Sequence, residues 1–462
     1  MMIASCGVAY SSGMVAANFE WLAWYFLLLL AMVFIPHYLR TRISTMPEFL
    51  SKRFNESCRN FLSVYTIFAT LILWLGGNLY AGGVLLGQIM GWDYLFATVL
   101  LITIATSFTV TGGLAAVVIT DSFQSVLMIV VSTILTLIAF LKIGSLQTLL
   151  DSAPSDYWTL FRPADHPDYP WHAIILGYPV LGIWFWCTDQ TIVQRVLGGR
   201  DIRQGQLGAV FAGFLKILTP FIFFLPGILC SVLHPGLAKS DEAYTTLVVT
   251  YLPTGMVGLV VAVLIAALIS TIDSGLNSLS TVFTLDLYRK MLRPQATSGE
   301  IAWTGRIVTV VAAVVSILFA VALNAVQDMN LFELLQSVIS FLAPPLAAVF
   351  LVGVLWKRST AAAALSTLIV GAALCMGIGG CYLAHYPAED FWPPFLLIAF
   401  YLFAFLCALM VAVSLYTSHS PEEEELPSIR STYAEQGYST KLVWSLWGVL
   451  AVIMVTLYIL FN

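Results

Sequence analysis

The chain has 462 residues, of which 60% are hydrophobic and only 10% charged, whereas a soluble domain is about a quarter charged. With a mean hydropathy of +0.91, that composition excludes a soluble globular protein, and a net charge of -5 with its basic residues scattered in short loops gives no sign of a nucleic-acid partner. Apolar runs of roughly 20 to 30 residues suit helices crossing about 30 Å of hydrocarbon and exclude a transmembrane barrel, whose strands are about 10 residues long.

The first 18 residues, MMIASCGVAYSSGMVAAN, are rich in small side chains. They are too short and broken to span, and they lack the basic start of a cleavable signal peptide. Twelve membrane spans follow, predicted at 19-38, 59-90, 94-112, 118-143, 171-194, 207-233, 252-285, 302-327, 331-356, 360-385, 392-416 and 442-461. The basic residues orient them. If the loop holding Arg40, Arg42, Lys52, Arg53 and Arg59 is cytoplasmic, sixteen of the twenty lysines and arginines fall inside. Lys142, Arg162 and Lys239 fall outside, and Lys216 lies within a span. Residues 144-170, with Pro154, Pro163 and Pro167, then face outward, and 417-441, containing PEEEELP, form an acidic cytoplasmic linker ahead of a C-terminal transmembrane helix at 442-462. The seven cysteines form no CxxC and no metal spacing, and read as small buried hydrophobes.

A carboxylate at a helix centre costs roughly 2.5 to 3.5 kcal/mol on insertion scales, so ionisable residues inside spans mark a site or pathway. Glu20, Asp121, Asp189, Lys216 and Asp273 are the candidates. In AALISTIDSGLNSLS, residues 266-280, helical spacing lines one face with Ser270, Ser274, Asn277 and Ser278, with Thr271 and Asp273 beside them. Hydroxyl, carboxylate and freed carbonyl oxygens are the hard donors that a dehydrated alkali cation requires; Ser278 and Ser280 read instead as bonding back to carbonyls or across to a neighbouring helix.

Three further stretches carry polar groups. In GGLAAVVITDSFQ, 112-124, paired glycines open a span with Asp121 just inside, either as a helix cap or as part of a site. FWCTDQTIVQR, 185-195, holds Asp189, read as structural, with Arg195 six residues on, a spacing poor for a local ion pair. Lys216 in FAGFLKILTP needs a polar partner, and with Glu20 in ANFEWLAW and Gln336 in ELLQSVISFLAPP it could hydrogen-bond a hydroxylated ligand whose apolar face rests on Phe185 or Trp186. The sequence contains no HExxH and no GxSxG, and its histidines sit mainly at span ends or in loops, so nothing points to an enzyme.

TMPEFLSKRF (45-54), GGLAAVVITD (112-121), WCTDQTIVQRVL (186-197) and AALISTIDSGLNSLSTVFTLDLY (266-288) together resemble the sodium/solute symporter family, in its sodium-glucose cotransporter branch, over about Gly7 to Lys357. The resemblance implies an all-α polytopic fold with an inverted-repeat core of five plus five helices and peripheral helices, working by alternating access in the cell membrane. It implies Na+ as coupling ion and a small solute, a sugar or related polyol, as passenger; an organic anion, vitamin or amino acid, or a sensor that binds without transport, is the alternative.

Carried over residue by residue, the main sodium site falls on the Ala267 carbonyl with Ser270 and Thr271, and a second on Asp121, Ser270, Asp273 and Ser274. Asp273 departs from the family's commoner small or hydroxyl residue, which bears on ion number and proton use. The solute site falls on Glu20, Lys216 and Gln336, with Phe185 and Trp186 as inner gate, while Gly182 and Ala23 stand where several members have polar side chains. The implied division is 1-18 as remnant of a broken first core helix, 19-356 as transporter core and 357-416 as peripheral helices. GVAYSSGMVAANFEW matches only the second half of the family's broken helix, which leads us to expect a truncated chain or misplaced start.

Overall fold

The computed structural model of the chain describes residues 2-325, 330-388, 391-418 and 441-462, with the backbone alone at 113-118. The predicted 417-441 linker lies almost wholly outside these residues. Everything described is helix or connection, apart from one isolated bridge between Arg162 and Pro170. Twelve helical stretches are long and apolar enough to cross a membrane. Spans 1 to 4 are Met2–Arg40, Glu56–Met90, Tyr94–Gly112 and Ile119–Ile143. Spans 5 to 8 are Trp171–Thr188, Ile202–Leu233, Thr254–Leu292 and Ser298–Asn324. Spans 9 to 12 are Leu331–Leu355, Ala361–Leu383, Phe395–Tyr416 and Lys441–Leu460.

Span 1 is two elements. Met2–Ser12 is a buried half-helix that passes through a 3-10 turn at Gly13–Ala17 before the chain resumes at Asn18. The small residues of this segment make the close approach: Gly227 of span 6 packs on the Cys6 carbonyl, where any side chain would collide. Helix ends leave carbonyls unpaired, and here the loop between spans 4 and 5 supplies the donors. Tyr157 Oη reaches the carbonyls of Tyr10 and Ser11 at 2.9 and 3.0 Å, and Arg162 Nη2 donates to that of Ser12 at 2.8 Å. A cation there also suits the negative end of the helix dipole.

Helical geometry is assigned continuously from Tyr94 to Ile143, yet at 1.5 Å per residue a straight rod of that length would be about 75 Å long, more than twice the hydrocarbon thickness. The chain instead reverses near the paired glycines. Tyr94 Oη donates to Ala320 O at 2.8 Å near the end of span 8, while Lys142 lies 6.0 Å from the Tyr251 ring just before span 7 begins, and the end of span 8 and the start of span 7 lie at the same face of the bundle. Span 5 is also broken. It passes into a π-helical turn, Ile183–Thr188, stops at the extended residue Asp189 and restarts as Gln190–Leu197. With the half-helix counted apart from the rest of span 1, residues 2-143 hold five membrane helices led by that half-helix, and residues 171-355 hold five led by the broken span 5, the five-plus-five pattern of inverted-repeat carriers.

π-helical turns also occupy Leu30–Phe34, Thr70–Gly77, Pro220–Phe224 and Phe283–Leu292. Two of these have a direct cause: Pro36 and Pro226 lack the N–H that would bond the carbonyl four residues back, which widens the preceding turn. Arg59 and Asp286 form a buried ion pair at 2.8 Å, with side chains 2% and 1% exposed, that ties the start of span 2 to the end of span 7.

Candidate functional site

A cavity of about 490 Å³ lies among the half-helix, spans 2, 4, 7 and 9 and the break after span 5. Met2, Ile3 and Ala4 contribute the end of the half-helix, and Trp74 and Asn78 come from span 2. Asp121 and Gln124 come from span 4, Ala267, Ser270 and Thr271 from span 7, and Gln336 from span 9. Phe185 and Arg195 close one side. Trp74 sits in a π-helical turn and stacks on Phe185 with ring centroids 5.6 Å apart and planes at 29°. Its indole nitrogen donates to Asp189 Oδ2 at 3.3 Å.

The oxygen-rich face of span 7 divides between two neighbours. On one side the Ser270 hydroxyl donates to Asp121 Oδ1. Arg195 Nη2 donates to Asp121 Oδ2 at 2.7 Å and to Ser274 Oγ at 2.6 Å. On the other side Asp273, 5% exposed, accepts from Thr109 Oγ1 of span 3 at 2.9 Å. Two hydroxyls bond back along the helix: Thr271 to the Ala267 carbonyl at 3.0 Å and Ser274 to that of Ser270 at 2.9 Å. The structure therefore gathers Ala267, Ser270, Thr271 and Asp121 at one wall of the cavity, with Ser274 buried beside them against Arg195. Asp273 stands a turn away, towards span 3.

Ser280 donates to the Gly305 carbonyl of span 8 at 3.0 Å, the interhelical role its sequence suggests, whereas Ser278 Oγ is buried with no hydrogen-bond partner among the described residues. Asp189 is a helix cap, its Oδ1 accepting from the N–H groups of Thr191 and Ile192 at 2.9 and 3.3 Å. Arg195 pairs not with it but with Asp121, whose side chain is 16% exposed against 35% for Arg195.

The solute-site candidates separate into two groups. Gln336 and Phe185 line the cavity. Glu20 and Lys216 pair with each other, and the Lys216 ammonium lies 4.8 Å from the centroid of the Trp186 ring; none of these three lines the cavity. Gly182 packs directly on the Phe26 ring, and Ala23 is buried, so both positions are filled by packing. Sequence reasoning missed Trp74, Asn78 and Thr109. Asn78, which donates to the Trp74 carbonyl at 2.8 Å, was detectable as an amide within an apolar run; Trp74 had no such mark.

A half-helix and a broken span 5 facing one polar cavity mark a membrane carrier of the inverted-repeat class, a transporter. The family model described as "Sodium:solute symporter family" matches residues 1–371, and the chain belongs to that family. It is 36% identical over 460 residues to the sodium/mannose cotransporter SLC5A10 of Bos taurus, covering 89% of this chain and 76% of the relative. The sodium/glucose cotransporter 4 of Danio rerio is 31% identical over 473 residues, covering 92% of this chain and 71% of the relative. The sodium/myo-inositol cotransporter 2 of Mus musculus is 35% identical over 404 residues, covering 80% of this chain and 60% of the relative. A substrate-bound, outward-open structure of a Na+-coupled sialic acid symporter superposes with a TM-score of 0.78 at 22% identity, covering 91% of this chain and 87% of that one. The fold is shared with that carrier.

Proposed function

We propose that this protein is a sodium-coupled symporter of a sugar or related polyol, working by alternating access in the cell membrane. The observation that carries the reading is the row of oxygens from Ala267, Ser270 and Thr271 opening on a cavity that also holds Asp121 and Gln336. Hard oxygen donors suit a dehydrated Na+, and the names of the relatives point to a hydroxylated neutral passenger.

Ala267, Ser270 and Thr271 are assigned to the main sodium site. Asp121, Ser270, Ser274 and Asp273 are assigned to a second one. Both carboxylate oxygens of Asp121 are engaged here, by Ser270 and Arg195. A cation entering the second site therefore competes with the Arg195 guanidinium for the same charge, and occupancy is linked to movement of the helix after the break in span 5. Gln336 hydrogen-bonds the solute, and Phe185 covers one of its faces. Glu20, Lys216 and Trp186 reach it only in a conformation that parts the ion pair, because Lys216 and Glu20 now satisfy each other.

One Na+ moving inward gains roughly 2.3 kcal/mol per 100 mV and about 1.4 kcal/mol per tenfold concentration ratio. Together these support roughly 500-fold solute accumulation per ion, and two ions would square that limit. Counter-flow into proteoliposomes tests the passenger class: labelled mannose, glucose or myo-inositol should exchange in the presence of Na+, and exchange of proline or sialic acid but none of these would refute the assignment.

A further inference from the structure

On the positive face, a second cavity of about 500 Å³ is formed by Leu39, Arg200, Asp201, Ile202 and Arg203. It lies where span 1 ends at Arg40 and span 6 begins at Ile202, at the face that the bias of lysine and arginine assigns to the cytoplasm. Arg200 and Arg203 are exposed, and among the described residues neither forms an ion pair. Among the described residues Asp201 forms no ion pair with them. Its Oδ1 accepts from the Gln204 N–H at 2.8 Å and caps the helix, so the hold on an anion comes from the guanidinium groups and not from the helix end. The segments 39-42 and 200-203 together hold four arginines, Arg40, Arg42, Arg200 and Arg203, against the one aspartate.

The walls of this cleft are amphipathic. Leu39 and Ile202 are half-buried apolar groups beside the arginines. Along span 6, Gln204, Gly208, Phe211, Leu215 and Leu218 are exposed in steps of four and three, a lipid-facing stripe leading from the charged end towards the membrane interior. A free inorganic anion would use the arginines and leave that stripe unused. A phosphodiester carrying acyl chains matches both.

We infer that Arg200 and Arg203 bind the phosphate of an anionic phospholipid of the inner leaflet, seated on Leu39 and Ile202 with its chains along the exposed stripe of span 6. Arginine suits the role because its planar fork meets two phosphate oxygens at once. The site follows the helix Gln190–Leu197 that carries Arg195, so lipid bound there would restrain the helix that borders the sodium site.

The test titrates fluorescent phosphatidylglycerol onto the full-length protein in phosphatidylcholine nanodiscs. Wild type should bind it in preference to labelled phosphatidylcholine, and the Arg200→Gln/Arg203→Gln variant about thirtyfold more weakly, at roughly 1 kcal/mol per arginine. Arg200→Lys/Arg203→Lys, which keeps the charge and loses the fork, should fall between. Lys357→Gln/Arg358→Gln, on another loop of the same face, should bind like wild type. Equal affinity in wild type and the glutamine variant would overturn the site, as would an equal loss in the Lys357/Arg358 variant. Competition by inorganic phosphate as effective as by unlabelled phosphatidylglycerol would overturn the lipid as its occupant. If the glutamine variant does not fold, the lysine variant decides alone, and wild-type affinity there counts against the assignment.

Discussion

Thr271→Val isolates the oxygen chemistry of span 7 from its packing. Valine keeps the β-branch and nearly the volume of threonine, so the rotamer and the helix are preserved while one oxygen is replaced by a methyl group. The Thr271 hydroxyl borders the cavity and donates to the Ala267 carbonyl at 3.0 Å. Losing that back-bond costs on the order of 1 kcal/mol of stability, since the carbonyl keeps its helical environment. The effect on the ion is larger. A polar contact to a charge contributes about 1.5 to 3 kcal/mol, so the half-saturating Na+ concentration should rise by roughly 10-fold to 100-fold. The assay is initial-rate uptake of labelled solute into proteoliposomes at clamped voltage across a Na+ series. An unchanged half-saturating Na+ concentration with full maximal uptake would refute the role given to this oxygen. A loss of maximal uptake at unchanged Na+ dependence would refute it too, because that pattern belongs to the solute site or to the rate of turnover.

Asp121→Asn leaves Arg195 without its 2.7 Å carboxylate partner and should remove the second-ion component of the Na+ dependence of uptake, with the dependence carried by the main site remaining; retention of a wild-type Na+ series would count against the second sodium site. Lys216→Met strands Glu20, whose side chain is 6% exposed. It should lower stability by on the order of 3 kcal/mol, with recovery in Glu20→Gln/Lys216→Met; a single variant as stable as wild type in thermal unfolding would contradict the pairing. Arg59→Met likewise strands Asp286 in a site where both side chains are at most 2% exposed, at a cost of about 3 to 5 kcal/mol. The double variant Arg59→Met/Asp286→Asn should regain most of that in a melting curve.

Much of the fold was legible because hydrocarbon imposes a minimum apolar length on any crossing helix. The predicted spans at 94-112 and 331-356 coincide with the observed Tyr94–Gly112 and Leu331–Leu355 almost to the residue. The predicted break between spans 94-112 and 118-143 coincides with the place where the chain reverses. The half-helix at Met2–Ser12 was readable as something too short to cross, but its burial against span 6 was not, since Gly227 and Cys6 are far apart in the chain. The π-helical turns left little trace: Pro36 and Pro226 explain two, while Thr70–Gly77, which presents Trp74, contains no proline.

At the site, the pattern of Ser270, Thr271 and Ser274 was legible from helical spacing alone. Their partners were not. The contacts of Asp121 with Arg195 and of Asp273 with Thr109 join residues 74 and 164 positions apart, distances over which periodicity carries no information. The same limit applies to Glu20 and Lys216, 196 positions apart. Each reads as a lone charge in an apolar run, open equally to solute or to another charge, until the fold brings the two together.

The most direct test of sodium coupling is uphill uptake of labelled mannose or myo-inositol by the full-length protein in proteoliposomes, with choline replacing external sodium and with pH and voltage clamped. Coupling predicts accumulation that collapses to the passive leak when sodium is withdrawn. Accumulation of the same extent in choline would contradict it.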